Sequence, residues 1–187
     1  MNEIRLLVLR LLYLSLEDVY TFDAVNLDDN VSEWNICARI AMYLEKRMRT
    51  YDSLYRKAVF SKYYVDVEYN RSYKAQPKIV AGHTVRVDLI IQTREETQPN
   101  YLVLEIKKPS NPEKRIDDER ELDRMVRPRE EGSPDYYNCG SFVGVFLDYN
   151  KDTFWGRIFW YDVSKKDVNP KDFERDNVLD LIEDLFG

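Results

Sequence analysis

The apolar positions change their period several times along the chain, and each change marks an element. Ile4–Leu16 is rich in Leu, with Ile4, Leu7, Leu11 and Leu14 on one helical stripe. Asp28-Asp29-Asn30-Val31-Ser32 reads as a turn followed by a helix start, with Ser32 as the cap. The helix it opens runs to about Tyr51. Ile36, Ile40, Leu44 and Met48 fall on one face of it, widened by Cys37 and Ala41. The period then drops to two. Val65–Arg71 alternates as a strand, and Lys74–Gly82 is a turn broken by Pro77 and Gly82. Val85–Gln92 sets Val85, Val87, Leu89 and Ile91 against Arg86, Asp88 and Ile90. After the polar connection Arg94–Asn100, Tyr101–Lys108 sets Leu102, Leu104 and Ile106 against Tyr101, Val103, Glu105 and Lys107, and Pro109 and Pro112 end it.

These two strands are expected to pair antiparallel across their short connection. Ile116–Val126 is a charged helix anchored by Leu122 and Met125, and Pro128–Cys139 is a long loop. Phe142–Tyr149 and Gly156–Val163 are strands joined by a turn at Asn150-Lys151-Asp152, and Val178–Phe186 is a short acidic amphipathic helix. The pattern predicts one mixed α/β domain over 1–187, with a core at 32–163 and a helical N-terminal extension at 1–31.

Composition narrows the chemistry. With 187 residues, 44% hydrophobic and 33% charged, the chain can bury a real core. One histidine excludes sites built from two or three imidazoles. The two cysteines, Cys37 and Cys139, make no disulfide framework, so a reducing, cytoplasmic setting is expected, with Cys37 a small core residue. Ile4–Leu16 is interrupted by Arg5 and Arg10 and falls short of the roughly 20 apolar residues of a membrane span. It is expected either to pack on the domain's own sheet or to form a homodimer contact.

The net charge of −6 does not favour non-specific polyanion binding. Residues 44–74, however, carry eight basic and four acidic side chains. That run is either a solvated face or a local phosphate-binding surface. Its tyrosines, with Tyr136-Tyr137, could stack bases but are expected to pack. Trp34, Trp155 and Trp160 are expected as core or interface anchors, His83 as a turn residue, and Glu68 as part of a solvated strand face.

The informative constellation is Asp88, Glu105 and Lys107. Asp88 and Glu105 stand on consecutive strands that a hairpin would bring together, and Glu105 and Lys107 share a face. A carboxylate between Leu104 and Ile106 is costly to bury unpaired and calls for a metal, Lys107, or water. Two close carboxylates make a hard oxygen site suited to Mg²⁺, to which the Ile106 carbonyl could add a ligand. The bland reading is a Glu105–Lys107 surface ion pair on a half-exposed strand.

Arg86-Val87-Asp88-Leu89-Ile90-Ile91 followed by Leu102-Val103-Leu104-Glu105-Ile106-Lys107 resembles the PD-(D/E)XK nuclease superfamily, as in its small bacterial members. The resemblance implies a restriction-endonuclease-like α/β fold, a mixed central sheet flanked by helices with an αβββαβ core. It implies metal-dependent hydrolysis of phosphodiester bonds, with Asp88 and Glu105 binding Mg²⁺ or Mn²⁺ and Lys107 helping to activate water. Glu33, at the start of the first core helix and on the side of Ile36 and Cys37, is the implied accessory ligand. Val87 stands where the family has a proline. Glu121 stands where a basic or amide residue would face phosphate, a task for which Arg120 and Arg124 are the candidates. Nucleic acid is the implied partner, DNA before RNA. Two other readings stay open: a member of the fold that binds nucleic acid or protein without cutting, and an interaction protein that assembles through Ile4–Leu16.

Overall fold

The computed structural model describes residues 1–27, 31–69, 79–80, 83–84, 86–93, 99–108, 115–128 and 141–187. In chain order these form α1 (Asn2–Phe22), a 3-10 turn (Ala24–Leu27), α2 (Glu33–Tyr55), β1 (Tyr63–Tyr69), β2 (Ile79–Val80), β3 (His83–Thr84), β4 (Val87–Thr93), β5 (Leu102–Lys107), α3 (Arg115–Val126), β6 (Val143–Tyr149), β7 (Phe154–Asp162), β8 (Asp167–Glu174) and α4 (Val178–Phe186). A six-stranded sheet has the order β1-β4-β5-β6-β7-β8. Every neighbouring pair is antiparallel except β5–β6, which is parallel because α3 carries the chain back across the sheet. The architecture is mixed α/β, as the pattern predicted, with the helix-flanked mixed sheet that the resemblance implied, α2, β1, β4, β5, α3 and β6 supplying the αβββαβ order.

The two sheet faces carry separate clusters. Leu89, Ile91, Leu102, Leu104, Ile106, Val145 and Leu147 pack with α1, α2 and α4, while Ile90, Val103 and Phe146 pack with Leu122, Met125 and Val126 of α3. The central strands are therefore buried on both sides, and the half-exposed strand of the surface-ion-pair reading is corrected: β5 is buried from Leu102 through Ile106.

α2 begins as its sequence predicts, with Ser32 Oγ accepting from the Asn35 N–H at 3.4 Å. It buries Ile36, Cys37, Ile40, Ala41, Leu44 and Met48. It runs on to Tyr55, past the expected end at Tyr51, and closes with Arg56 in the left-handed region (φ 51°). α1 also runs longer, to Phe22, and its buried side differs from the expected stripe. Val8, Leu9, Leu11, Leu12, Leu16 and Val19 face inward with Arg5 and Ser15, whereas Leu14 is 40% exposed. Nearly every position from Ile4 to Leu12 is apolar, so the period alone does not choose the face. Arg5 does: its guanidinium donates to the main-chain oxygens of Phe142 (2.8 Å) and Tyr161 (3.0 Å). The apolar face of Ile4–Leu16 is thus buried within the chain, one of the two expected outcomes. Among the described residues no helix is long and apolar enough to cross a membrane.

Three strands were not expected. β2, inside the segment read as a turn, pairs with β3 just beyond it as a small hairpin. β8 is an edge strand with Pro170 in it, from which only Val168 and Phe173 are buried. β7 starts at Phe154, ahead of the expected Gly156. Gly156 itself is demanded by packing, since a Cβ there would lie 2.2 Å from the Phe146 carbonyl oxygen and 2.5 Å from the Phe173 ring.

Trp155 and Trp160 pack against the two clusters as expected, but Trp34 is 53% exposed and anchors no core. Tyr63 stacks on Tyr101 at 3.7 Å, while Tyr55 and Tyr64 are exposed. Cys37 is a buried free thiol. The turn residues Asp28–Asn30, Pro77, Gly82, Pro109 and Pro112, the loop beyond Pro128 with Tyr136, Tyr137 and Cys139, and the His83 side chain lie outside the described residues.

Candidate active site

The β4–β5 ladder pairs Ile91 with Leu102, Ile90 with Val103 and Leu89 with Leu104. One step further along that register brings Asp88 level with Glu105, with both side chains on the α3 face. There the main-chain ladder gives way to a side chain: Asp88 Oδ2 accepts the Ile106 N–H at 2.8 Å. N–H and C=O of one residue leave an extended strand on the same side, so the Ile106 carbonyl also faces the Asp88 edge. Glu105 is 4% exposed, and among the described residues its buried Oε1 has no hydrogen-bond partner.

The electrostatics follow from burial. Burial raises the Asp88 carboxyl above its ordinary range, against the Ile106 N–H and the Lys107 charge, which pull it down. Glu105 is raised well above its ordinary value, first by burial and then by the charges of Asp88 and Asp118. Without a cation, the pair therefore tends to retain a proton. Lys107 is half-buried, which disfavours its charge, but Asp118, Asp88 and Glu105 together overcome this and raise it, so it stands as an ammonium.

Lys107 Nζ lies 3.2 Å from Asp118 Oδ2, with the two side chains 12% and 16% exposed. Asp118 belongs to the first turn of α3 and was not singled out from the sequence. Its signal is spacing: it falls four residues before Leu122 and seven before Met125, on the stripe that α3 buries. Arg115, at the start of the same helix, pairs with the buried Asp148 and lies 5.3 Å over the Trp155 ring. Asp148 stands beside Lys107 in the β5–β6 register. Burial raises the Asp148 carboxyl, and Arg115 opposes the rise.

Glu33 approaches from the other side. As the first residue of α2 it reaches the end of β5, where its Oε1 accepts the Lys108 N–H at 3.0 Å, and Lys108 Nζ in turn donates to the Val31 carbonyl. Its charge contributes to raising Asp88, behind the stronger effects. Among the described residues no three His, Cys, Asp or Glu side chains are grouped to hold one ion. The carboxylate pair is Asp88–Glu105, and Glu33 ties down the strand beside it.

The other candidates stand elsewhere. Arg120 is exposed and pairs with Asp117 at 3.4 Å. Arg124 is exposed, and Glu121 is half-buried with its carboxyl raised by burial and by Asp118. Glu68, at φ 50° on the edge strand, pairs with Arg86 at 3.5 Å.

Fold and site together define a mixed α/β domain with a buried carboxylate pair and an ammonium at the end of its central strands. No protein-family model and no curated protein matches the chain. Among solved structures, NucC of P. aeruginosa ATCC27853 in its cAAA-bound form is similar at a TM-score of 0.36 and 9% identity, over 95% of this chain and 90% of NucC. At that score the likeness decides neither fold nor function.

Proposed function

We propose that the protein is a divalent-metal-dependent nuclease that hydrolyses phosphodiester bonds, with DNA before RNA as substrate. The observation that carries this is Glu105 Oε1, a buried carboxylate oxygen with no donor among the described residues, beside a second carboxylate on the adjacent strand. That donor set is hard, anionic and short of positive charge, which fits Mg²⁺ or Mn²⁺. Asp88 and Glu105 would hold the ion, with the Ile106 carbonyl as the further ligand and Glu33 as an accessory group acting from Lys108. When bound, such an ion supplies a Lewis acid for a phosphoryl oxygen and lowers the pKa of its water.

The chain's own residues do the rest. The Ile106 N–H holds the Asp88 carboxylate in one orientation. Lys107 presents a protonated Nζ on the same face, able to orient a water by donating to it and to balance charge growing on a phosphate oxygen. An ammonium has no lone pair, so Lys107 is not a ligand. A reducing, cytoplasmic setting belongs to the same proposal. A homodimer through Ile4–Leu16 would have only the outer side of α1, around Leu14, to dock with.

The test is calorimetric Mg²⁺ and Mn²⁺ binding together with nicking of single- and double-stranded DNA and RNA, for wild type and Asp88→Asn. Wild type should bind the ion and cut, and the variant should do neither while keeping its fold. If wild type binds no divalent ion, or Asp88→Asn cuts as fast, the catalytic assignment fails. The alternative is then a nuclease-fold protein that binds nucleic acid or a protein partner without cutting, and the net charge of −6 favours such a non-cutting role with a protein partner.

A further inference from the structure

Lys107 has two sets of acids within reach. On its own strand Glu105 is two residues away on the same face, with an oxygen that accepts nothing among the described residues. Across the layer, on α3, stands Asp118. The ammonium is drawn to Asp118, and among the described residues no ion pair joins Lys107 to Asp88 or Glu105. This choice matters because a lysine stem long enough to reach α3 is also long enough to fold back over Glu105. An ammonium seated there would neutralise the carboxylate pair and occupy the place a divalent cation needs.

α3 has other means of holding itself down. Leu122, Met125 and Val126 are fully buried against Val103 and Phe146, and Arg115 pairs with Asp148. A half-buried aspartate is not required for that packing and detracts from it unless its charge is compensated. Asp118 is oriented toward Lys107 and feels the charges of both Lys107 and Asp88.

We infer that Asp118 is a positioning residue for Lys107: it holds the ammonium on the α3 side, which keeps Asp88 and Glu105 open for the metal and leaves Lys107 facing the space where a phosphate would lie. The inference rests on the nuclease reading above and adds to it a residue outside the Asp88, Glu105 and Lys107 set. It separates two tasks. The carboxylate pair holds the cation, and Asp118 prevents the chain's own cation from taking that place.

The experiment is a double-mutant cycle on Mn²⁺ affinity, measured by calorimetry or by the electron paramagnetic resonance of free Mn²⁺, in Asp118→Asn, Lys107→Ala and the double variant. With Lys107 present, Asp118→Asn should weaken Mn²⁺ binding about tenfold, the equivalent of about 1.4 kcal/mol. In the Lys107→Ala background the same change should cost no more than about twofold, since no ammonium remains to be misplaced. Asp118→Glu, which keeps the charge, should restore most of the affinity. An equal loss in both backgrounds would show that Asp118 acts directly on the ion and would overturn the inference while leaving the nuclease reading intact. If Asp118→Asn unfolds where Lys107→Ala does not, Asp118 serves the fold and the inference also fails. Absence of Mn²⁺ binding by wild type removes the nuclease reading first, and the inference with it.

Discussion

Glu105→Gln should stabilise the metal-free protein, an unusual outcome for a change at a buried charged residue. Glu105 is 4% exposed, its Oε1 has no donor among the described residues, and Asp88 lies beside it. Leaving one such acceptor unsatisfied costs about 1–3 kcal/mol, and a hydrogen bond to an ionised partner is worth about 1.5–3 kcal/mol. Glutamine keeps the shape, removes the charge, and offers an amide that can donate to Asp88. The two gains share one pocket and do not add fully, so we expect about 2–4 kcal/mol in chelator on the alkaline side of the pair's titration, or roughly 5–15 °C in Tm for a chain of this size.

The pH dependence has a definite sign. Glu105 and Asp88 both have folded-state pKa values raised by burial. Stability tied to their protonated forms is fully present below the unfolded carboxylate pKa and is lost as pH rises through the folded values. Wild type in chelator should therefore lose stability as pH rises above the ordinary carboxylate range, and Glu105→Gln should lose less of it. Saturating Mg²⁺ offsets much of that difference. At a hundred times Kd it adds about 2.7 kcal/mol to wild type and nothing to a variant that cannot bind. Thermal melts of both proteins, with chelator and with Mg²⁺ at each pH, test all three statements. The reasoning is refuted if Glu105→Gln melts at or below wild type in chelator at the higher pH, or if Mg²⁺ raises both proteins equally.

Two further outcomes bear on the scaffold. Gly156→Ala places a methyl 2.2 Å from the Phe146 carbonyl in an interior strand, and should lower stability by at least about 2 kcal/mol in denaturant titration. Arg5→Met keeps the stem but strands the Phe142 and Tyr161 carbonyls; it should cost about 2–3 kcal/mol and speed amide exchange in α1 before the sheet is affected. A variant that exchanges uniformly faster throughout, or no faster anywhere, would contradict that account.

Elements with a clean period were legible in the sequence. α2 could be read because its four-residue apolar spacing coincides with a capping serine, and β4 and β5 because their parity puts Asp88, Glu105 and Lys107 on one face. α1 was legible as a helix but not in its orientation: an almost continuous apolar run carries no phase, and the buried face is set by Arg5 meeting carbonyls more than a hundred residues away. β8 was invisible for the opposite reason. Its sequence is polar and contains a proline, and it is a strand because β7 offers a backbone ladder over its whole length. Neither cause is local, so neither leaves a local pattern.

The site divides along the same line. The carboxylate pair is a consequence of strand parity and a hairpin, both visible in one dimension. The resemblance implied Glu33 as an accessory ligand, and its place at the head of α2 also lets it accept the Lys108 N–H at the end of β5. Asp118 looked like one more charge in a solvated helix. Counting back from Leu122 and Met125 puts it on the buried stripe, and a carboxylate on a buried stripe persists only where a cation lies beneath it. Lys107 is that cation, on a strand whose other inward charge, Glu105, faces Asp88. Each half of the pair carries a one-sided signal: an acid on an apolar helix face, and a base on a buried strand. Together they specify that α3 must cross the sheet where β5 ends, which is also where Asp88 and Glu105 meet.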